Sequence, residues 1–251
     1  MSKMFRTYRS LPLAAGLLLV GGCAMGGMGS SAGRNETMNP AAHRFTVTVY
    51  NVSKPGTLPT DRAMGAVPLS PVAYAVFGGA DPMFTVGAAA DAGTELIAED
   101  GDHMQKVNML GSMRGVGTHG AAMQPAGMSP AVEPGESATF TVVAAPGQRL
   151  QIETMFVQSN DWFYGFGGGG LALFNGNTPI SGDVTSQLVV YDAGTEQDTA
   201  PGTGEFQKPA QAPTATNVGP SESVPIRSAR ERHPNFNIPA NASVIRVTIS
   251  R

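Results

Sequence analysis

Two stretches of the chain carry carboxylates at a spacing suited to a hard cation. The first, Phe156-Val-Gln-Ser-Asn-Asp161-Trp-Phe-Tyr-Gly-Phe-Gly167, leaves one β-rich run and heads for the next. The second, Leu188-Val-Val-Tyr-Asp192-Ala-Gly-Thr-Glu196-Gln-Asp198, places Asp192 just past a run and Glu196 four residues on, across a Gly-Thr turn. Ca²⁺ takes six to eight oxygens at about 2.3–2.6 Å in flexible geometry, so loop carboxylates converging at one rim would suit it. Left together without a cation they would repel one another. Asp and Gly are also ordinary turn residues, so spacing alone leaves both readings open.

The pentapeptide Asp-Ala-Gly-Thr-Glu occurs twice, beginning at Asp91 and at Asp192. The earlier copy runs straight into Leu96-Ile97-Ala98 and reads as the start of a helix over 94–100, with Thr94 as its cap and Gly101 as its end. Glu99, Asp100 and Asp102 keep a second acidic site open there.

The elements that must position these loops are strands. Residues 45–50 alternate Phe45, Val47 and Val49 with polar neighbours, and similar β-rich runs recur at 72–77, 138–143, 150–156, 171–174, 186–191 and 244–249. Pro-Gly pairs at 134–135 and 146–147 punctuate them. This pattern predicts an all-β fold, an antiparallel β-sandwich of about eight strands with long loops and at most one short helix. The first and last runs lie at the two ends of 44–251, which therefore reads as one domain. The Gly- and Met-rich segment 104–128 and the Pro-, Gly- and Thr-rich segment 199–237 show no strand pattern and read as long loops.

Ahead of that domain, Lys3, Arg6 and Arg9 precede a short apolar run ending at Val20, and Gly21-Gly22-Cys23 follows. Residues 1–22 read as a signal peptide, the run being well short of the ~20 apolar residues a spanning helix needs. Cys23, the sole cysteine, stands where a bacterial lipoprotein signal places the acylated residue. Residues 23–43 then form a lipidated cysteine and a flexible tether. Ala24 in place of Asp favours an outer-membrane address. Cleavage before Cys23 removes three of 16 basic residues and no acidic one, leaving 13 Lys+Arg against 19 Asp+Glu. That acidic balance speaks against a nucleic-acid partner and suits a cation binder.

Ser159-Asn160-Asp161-Trp162 followed by Tyr191-Asp192-Ala193-Gly194-Thr195-Glu196 resembles the paired signature of the spondin N-terminal domain family. Bacterial spondin-domain proteins are similar also around Gly182-Asp-Val-Thr185, Ala98-Glu-Asp-Gly101 and Pro201-Gly-Thr-Gly204. The resemblance spans about 45–249. It implies an antiparallel sandwich with one edge Ca²⁺ held by Asp161, Asp192 and Glu196. Whether Asp198 or backbone carbonyls complete the shell stays open. Glu196 stands where animal members have Asp, and the animal cysteines are missing. The family implies non-catalytic binding or adhesion toward a glycan or protein ligand, with no catalytic residues.

Two other readings remain open. A hydrolase would pair Asp161 with a loop histidine from His103, His119 or His233, although no Gly-x-Ser-x-Gly, His-Glu-x-x-His or Walker pattern occurs. A copper-binding envelope protein would use Met104, Met109, Met113, Met123 and Met128 with His103 and His119, at irregular spacing. The aromatic patch Trp162, Phe163, Tyr164 and Phe166 reads as core or as a ligand platform. The cluster Arg227, Arg230, Arg232 and His233 reads as a solvated loop face.

Overall fold

A computed structural model describes residues 41–125, 130–212 and 214–251. The segments expected as signal peptide and tether, apart from residues 41–43, lie outside the described residues, as do Cys23 and Met128. In chain order the first strands are β1 (His43–Asn51), β2 (Val72–Phe77), β3 (Val116–Ala122), β4 (Ser137–Ala144), β5 (Arg149–Met155) and β6 (Trp162–Phe166). Then come β7 (Leu171–Ala172), β8 (Phe174–Asn175), β9 (Thr178–Pro179), β10 (Gly182–Asp183), β11 (Leu188–Asp192), β12 (Arg227–Ser228) and β13 (Ile245–Ser250). The helices are α1 (Ala92–Asp100), α2 (Met104–Leu110) and α3 (Ala229–Arg232).

The strands pair antiparallel in two main sheets. One runs β10-β13-β1-β4 and the other β12-β11-β6-β5-β2-β3, with β7 added beside β5; β8 and β9 form a separate pair. Period-two alternation builds the core between the sheets. Phe45, Val47 and Val49 of β1 and Val247 and Ile249 of β13 meet Leu150, Ile152, Trp162, Tyr164 and Phe166 from the larger sheet. Each such apolar side chain contributes about 1.5–3 kcal/mol on burial. Along one side, Thr118 of β3 exchanges side-chain hydrogen bonds with the backbone of Val143 on β4, tying two sheet edges together. The outer face of the larger sheet, with Ala73, Ala75, Phe163 and Tyr191, is covered by Ile97 and Ala98 of α1 and Leu110 of α2.

Thirteen strands are thus described where about eight were expected, and three helices where at most one was. The surplus strands are mostly two-residue pairings. Helix α2 and strand β3 come from the Met-rich segment read as a loop. Met, Gln, Lys and Leu favour helix within MQKVNML, and flanking glycines masked that local preference. Helix α1 begins two residues earlier than expected because Asp91 is its cap, accepting from the backbone N–H groups of Gly93 and Thr94. Gly101 ends it in the left-handed conformation, as expected.

Candidate metal centre

The pairing of β6 with β11 brings the two motif loops together. Trp162 stands opposite Asp192 in the register, so Asp161, one residue before β6, lies beside the end of β11. Ala193 N–H donates to the Asp161 carbonyl at 3.1 Å, extending the ladder by one bond. Before Asp161, Ser159 shapes the loop: its hydroxyl donates to the Phe156 carbonyl at 2.6 Å and accepts from Trp162 N–H at 3.0 Å. After Asp192 the chain turns at Gly194, whose φ of +72° and proximity to Val224 leave no room for a side chain. A Cβ there would sit 2.2 Å from the Val224 carbonyl oxygen. Across β12, Asp192 pairs with Arg227, and the chain then returns through α3, carrying Arg232 and His233 to the same rim.

The result is a buried acidic centre. Asp161 Oδ2 accepts from Thr195 N–H at 2.7 Å, Glu196 N–H at 3.1 Å and the Thr195 hydroxyl at 3.2 Å. Asp192 Oδ1 accepts from Gly194 N–H at 2.8 Å, an Asx-turn contact. Its Oδ2 lies 2.8 Å from both Arg232 Nε and His233 Nε2. The Arg232 contact is ionic, because its Nε–H is not aimed along a hydrogen bond. Asp198 Oδ2 lies 2.6 Å from His233 Nε2 and accepts from Trp162 Nε1 at 2.9 Å. The imidazole stacks against both Trp162, at 5.7 Å, and Phe236, at 4.7 Å, and those two rings lie 6.3 Å from each other.

Two carboxylate oxygens here, Asp161 Oδ1 and Asp198 Oδ1, are buried without a hydrogen-bond partner. Burial, and then the negative charge of Asp192, pushes the Asp161 carboxyl well above the usual carboxylate range. Asp198 is pushed up further by burial and by the charges of Asp161 and Asp192. Three acidic groups share one low-dielectric spot, with Arg232 the one fixed positive charge paired to them among the described residues, so protons or a cation would relieve their repulsion. Two overlapping sets place ligand atoms within 4.8 Å of one another: Asp161, Asp192 and Glu222, all oxygen donors, and Asp192, Asp198 and His233.

The three side chains expected as ligands are therefore not all together. Asp161 and Asp192 meet, but the Glu196 carboxylate turns to the other side of its loop. Its Oε1 accepts from Asn160 Nδ2 at 3.0 Å, and it packs so closely on Gly219 that a Cβ there would lie 2.0 Å away. Burial, and then Glu99 and Asp100, raise Glu196 to about 7. The longer arm of Glu fits this direction, and Asp198, two residues on, reaches the centre instead.

Arg232 and His233 are the residues that sequence reasoning placed elsewhere. Their cluster reads as a solvated face, but both turn inward to Asp192, while Arg230 donates to the carbonyls of Ile238 and Pro239. Nothing local in the sequence marks that inward turn, which is set by the β11–β12 pairing. His233 is also the loop histidine closest in kind to the hydrolase reading. It meets Asp192 and Asp198 rather than Asp161, and its Nε2 faces carboxylates, not a hydroxyl.

The remaining motifs are placed as follows. The aromatics Trp162, Phe163, Tyr164 and Phe166 are all fully buried and belong to the two cores. In the Met-rich segment, Met113 packs against the second core while Met104 and Met123 are exposed. The first Asp-Ala-Gly-Thr-Glu copy makes a different centre: Asp91 accepts from Lys106 Nζ at 2.8 and 2.9 Å, beside the fully buried Glu153. Among the described residues no helix is long and apolar enough to cross a membrane. Neither a known protein family nor a curated protein matches the chain in sequence.

Proposed function

We propose that this chain is a spondin-like, non-catalytic binding module whose acidic rim holds one Ca²⁺. One observation carries the reading: Asp161, Asp192 and Asp198 converge in a buried place, and two of them keep a buried oxygen that no described residue satisfies. A hard cation supplies what those oxygens lack, and an oxygen-rich set of flexible loop ligands is the donor chemistry calcium prefers over softer metals. Asp161 and Asp192 would hold the ion, with Glu222 and Asp198 as the nearest further carboxylates. Arg232 sets a fixed positive charge beside Asp192, against the negative charge that one dication leaves over.

The ion would supply folding energy rather than chemistry. The segment from Thr195 to His233 returns to the centre at Asp198, Glu222 and Arg232, so a cation there would stabilise the whole excursion. On this reading the ordered loops present a binding surface to a glycan or protein ligand. The module sits at the cell envelope, exported by its signal peptide and anchored through an acylated Cys23. The outer membrane is the address we favour.

Metal analysis of the purified protein and melting curves with and without chelator test the central claim. A cation at a hundred times its Kd stabilises by about 2.7 kcal/mol. For a chain of this size that is a rise in Tm of roughly 5–11 °C. An unchanged Tm in excess chelator, together with no bound calcium, would refute the reading.

A further inference from the structure

Strand β11 has two faces, and the acidic centre uses only one. Tyr191 precedes Asp192 and points the opposite way, by the alternation of a strand, into an open cleft of about 580 Å³. That size is typical of small-molecule sites. Phe84, Val86 and Val189 give the cleft an apolar wall, the turn at Gly168 and Gly169 forms one edge, and Asp81 and Glu231 supply its charge.

Neither carboxylate has an ion-pair partner among the described residues. Asp81 accepts from neutral donors, among them the Gln151 amide at 2.6 Å and Met83 N–H at 2.9 Å, and Lys106 reaches it through charge alone. The cations nearby are committed elsewhere. Lys106 is fully buried against Asp91 and Thr94, and Arg149 donates to the carbonyls of Gly168, Gly169 and Gly170. Tyr191 adds an independent sign. Its ring is buried, the residue being 4 % exposed, while its hydroxyl opens onto the cleft and makes no hydrogen bond among the described residues. Asp81 and Glu231 both act on that hydroxyl, adding to burial in raising it to about 12.

We infer that this cleft binds a small organic cation, a primary ammonium on an aliphatic stem. Asp81 and Glu231 face its charge, the Tyr191 oxygen accepts one of its N–H groups, and Phe84 and Val86 cover the stem. A bare divalent ion would need more oxygens than two carboxylates and a phenol offer. A neutral ligand would offset neither carboxylate, whereas one ammonium offsets one of the two charges.

The test is an NMR titration of the intact protein with n-butylamine, using n-butanol as the neutral control of equal length. It is run in chelator, so that its result is separate from that of the calcium centre. Butylamine is expected to saturate resonances around Tyr191 and Glu231, with butanol far weaker. Glu231→Gln, at an exposed position, should weaken butylamine by about tenfold without moving Tm, and Tyr191→Phe should weaken it while keeping the ring. No saturable butylamine binding, equal binding of butanol, or full affinity in Glu231→Gln would each overturn the inference.

Discussion

Replacing Lys106 by Met would expose how the helical layer is fixed to the sheet. The Lys106 side chain is fully buried, and its ammonium lies 2.8 Å from Asp91 Oδ1, 2.7 Å from Thr94 Oγ1 and 3.6 Å from Glu153 Oε1. Met keeps the length and most of the volume, so the loss is one of charge and hydrogen bonds rather than packing. Removing one partner of a buried ion pair typically costs about 3–5 kcal/mol. Here the lower end is expected. The Asp91 side chain is 36 % exposed and can be rehydrated, and Glu153, raised by burial to about 8, already holds a proton at neutral pH and needs no counter-charge there. Urea denaturation at neutral pH would read this loss as a lowered midpoint at unchanged slope. A thermal melt would read about 3 kcal/mol as a drop of roughly 6–12 °C. Adding Glu153→Gln to Lys106→Met should recover part of the loss above about pH 8, where the Glu153 carboxyl would otherwise ionise without a counter-charge. A cost below about 1 kcal/mol for Lys106→Met, or no recovery in the double variant above that pH, would show that Lys106 and its carboxylate partners are not coupled as described.

Three further outcomes are expected. Glu153 has its carboxyl raised by burial from 4.5 to about 8, so its contribution to stability is full below pH 4.5 and lost as pH rises through about 8; a Glu153→Gln variant should lose less stability than the parent over that window in pH-dependent urea melts. Asp161→Asn and Asp198→Asn should abolish the calcium-dependent rise in Tm, while Glu196→Gln should keep it; loss of the rise in Glu196→Gln alone would restore Glu196 as the ligand. Gly194→Ala, with φ at +72° and a Cβ forced against the Val224 carbonyl, should cost about 1–3 kcal/mol or more in thermal melts.

The parts of this fold that the sequence reveals are those where one local pattern suffices. Strand β2 occupies 72–77 as expected, and β1 shows its buried face through Phe45, Val47 and Val49 because one side of it meets the core. The meeting of Asp161 with Asp192 is legible too, since each motif lies at a strand end and the strands are antiparallel neighbours. What stays hidden depends on pairing across long intervals. Asp192 meets Arg227 only through the two-residue strand β12, and His233 follows from that register rather than from its neighbours. Strand β3 is hidden for another reason: VGTHGAA has hardly any apolar alternation and is held as much by β2 as by its own preferences. The direction of Glu196 depends on which side of a loop a side chain takes, a choice made by Asn160 and Gly219 and invisible in the motif itself.

Trp162 is the chain's one tryptophan, and its indole N–H is bonded to Asp198 while its face lies against His233. The protein therefore carries its own optical probe at the acidic centre. A cation drawing on Asp198 would alter the indole's polar partner and its stacking neighbour together. Intrinsic fluorescence should then report occupancy without a label, with no second indole to dilute the signal.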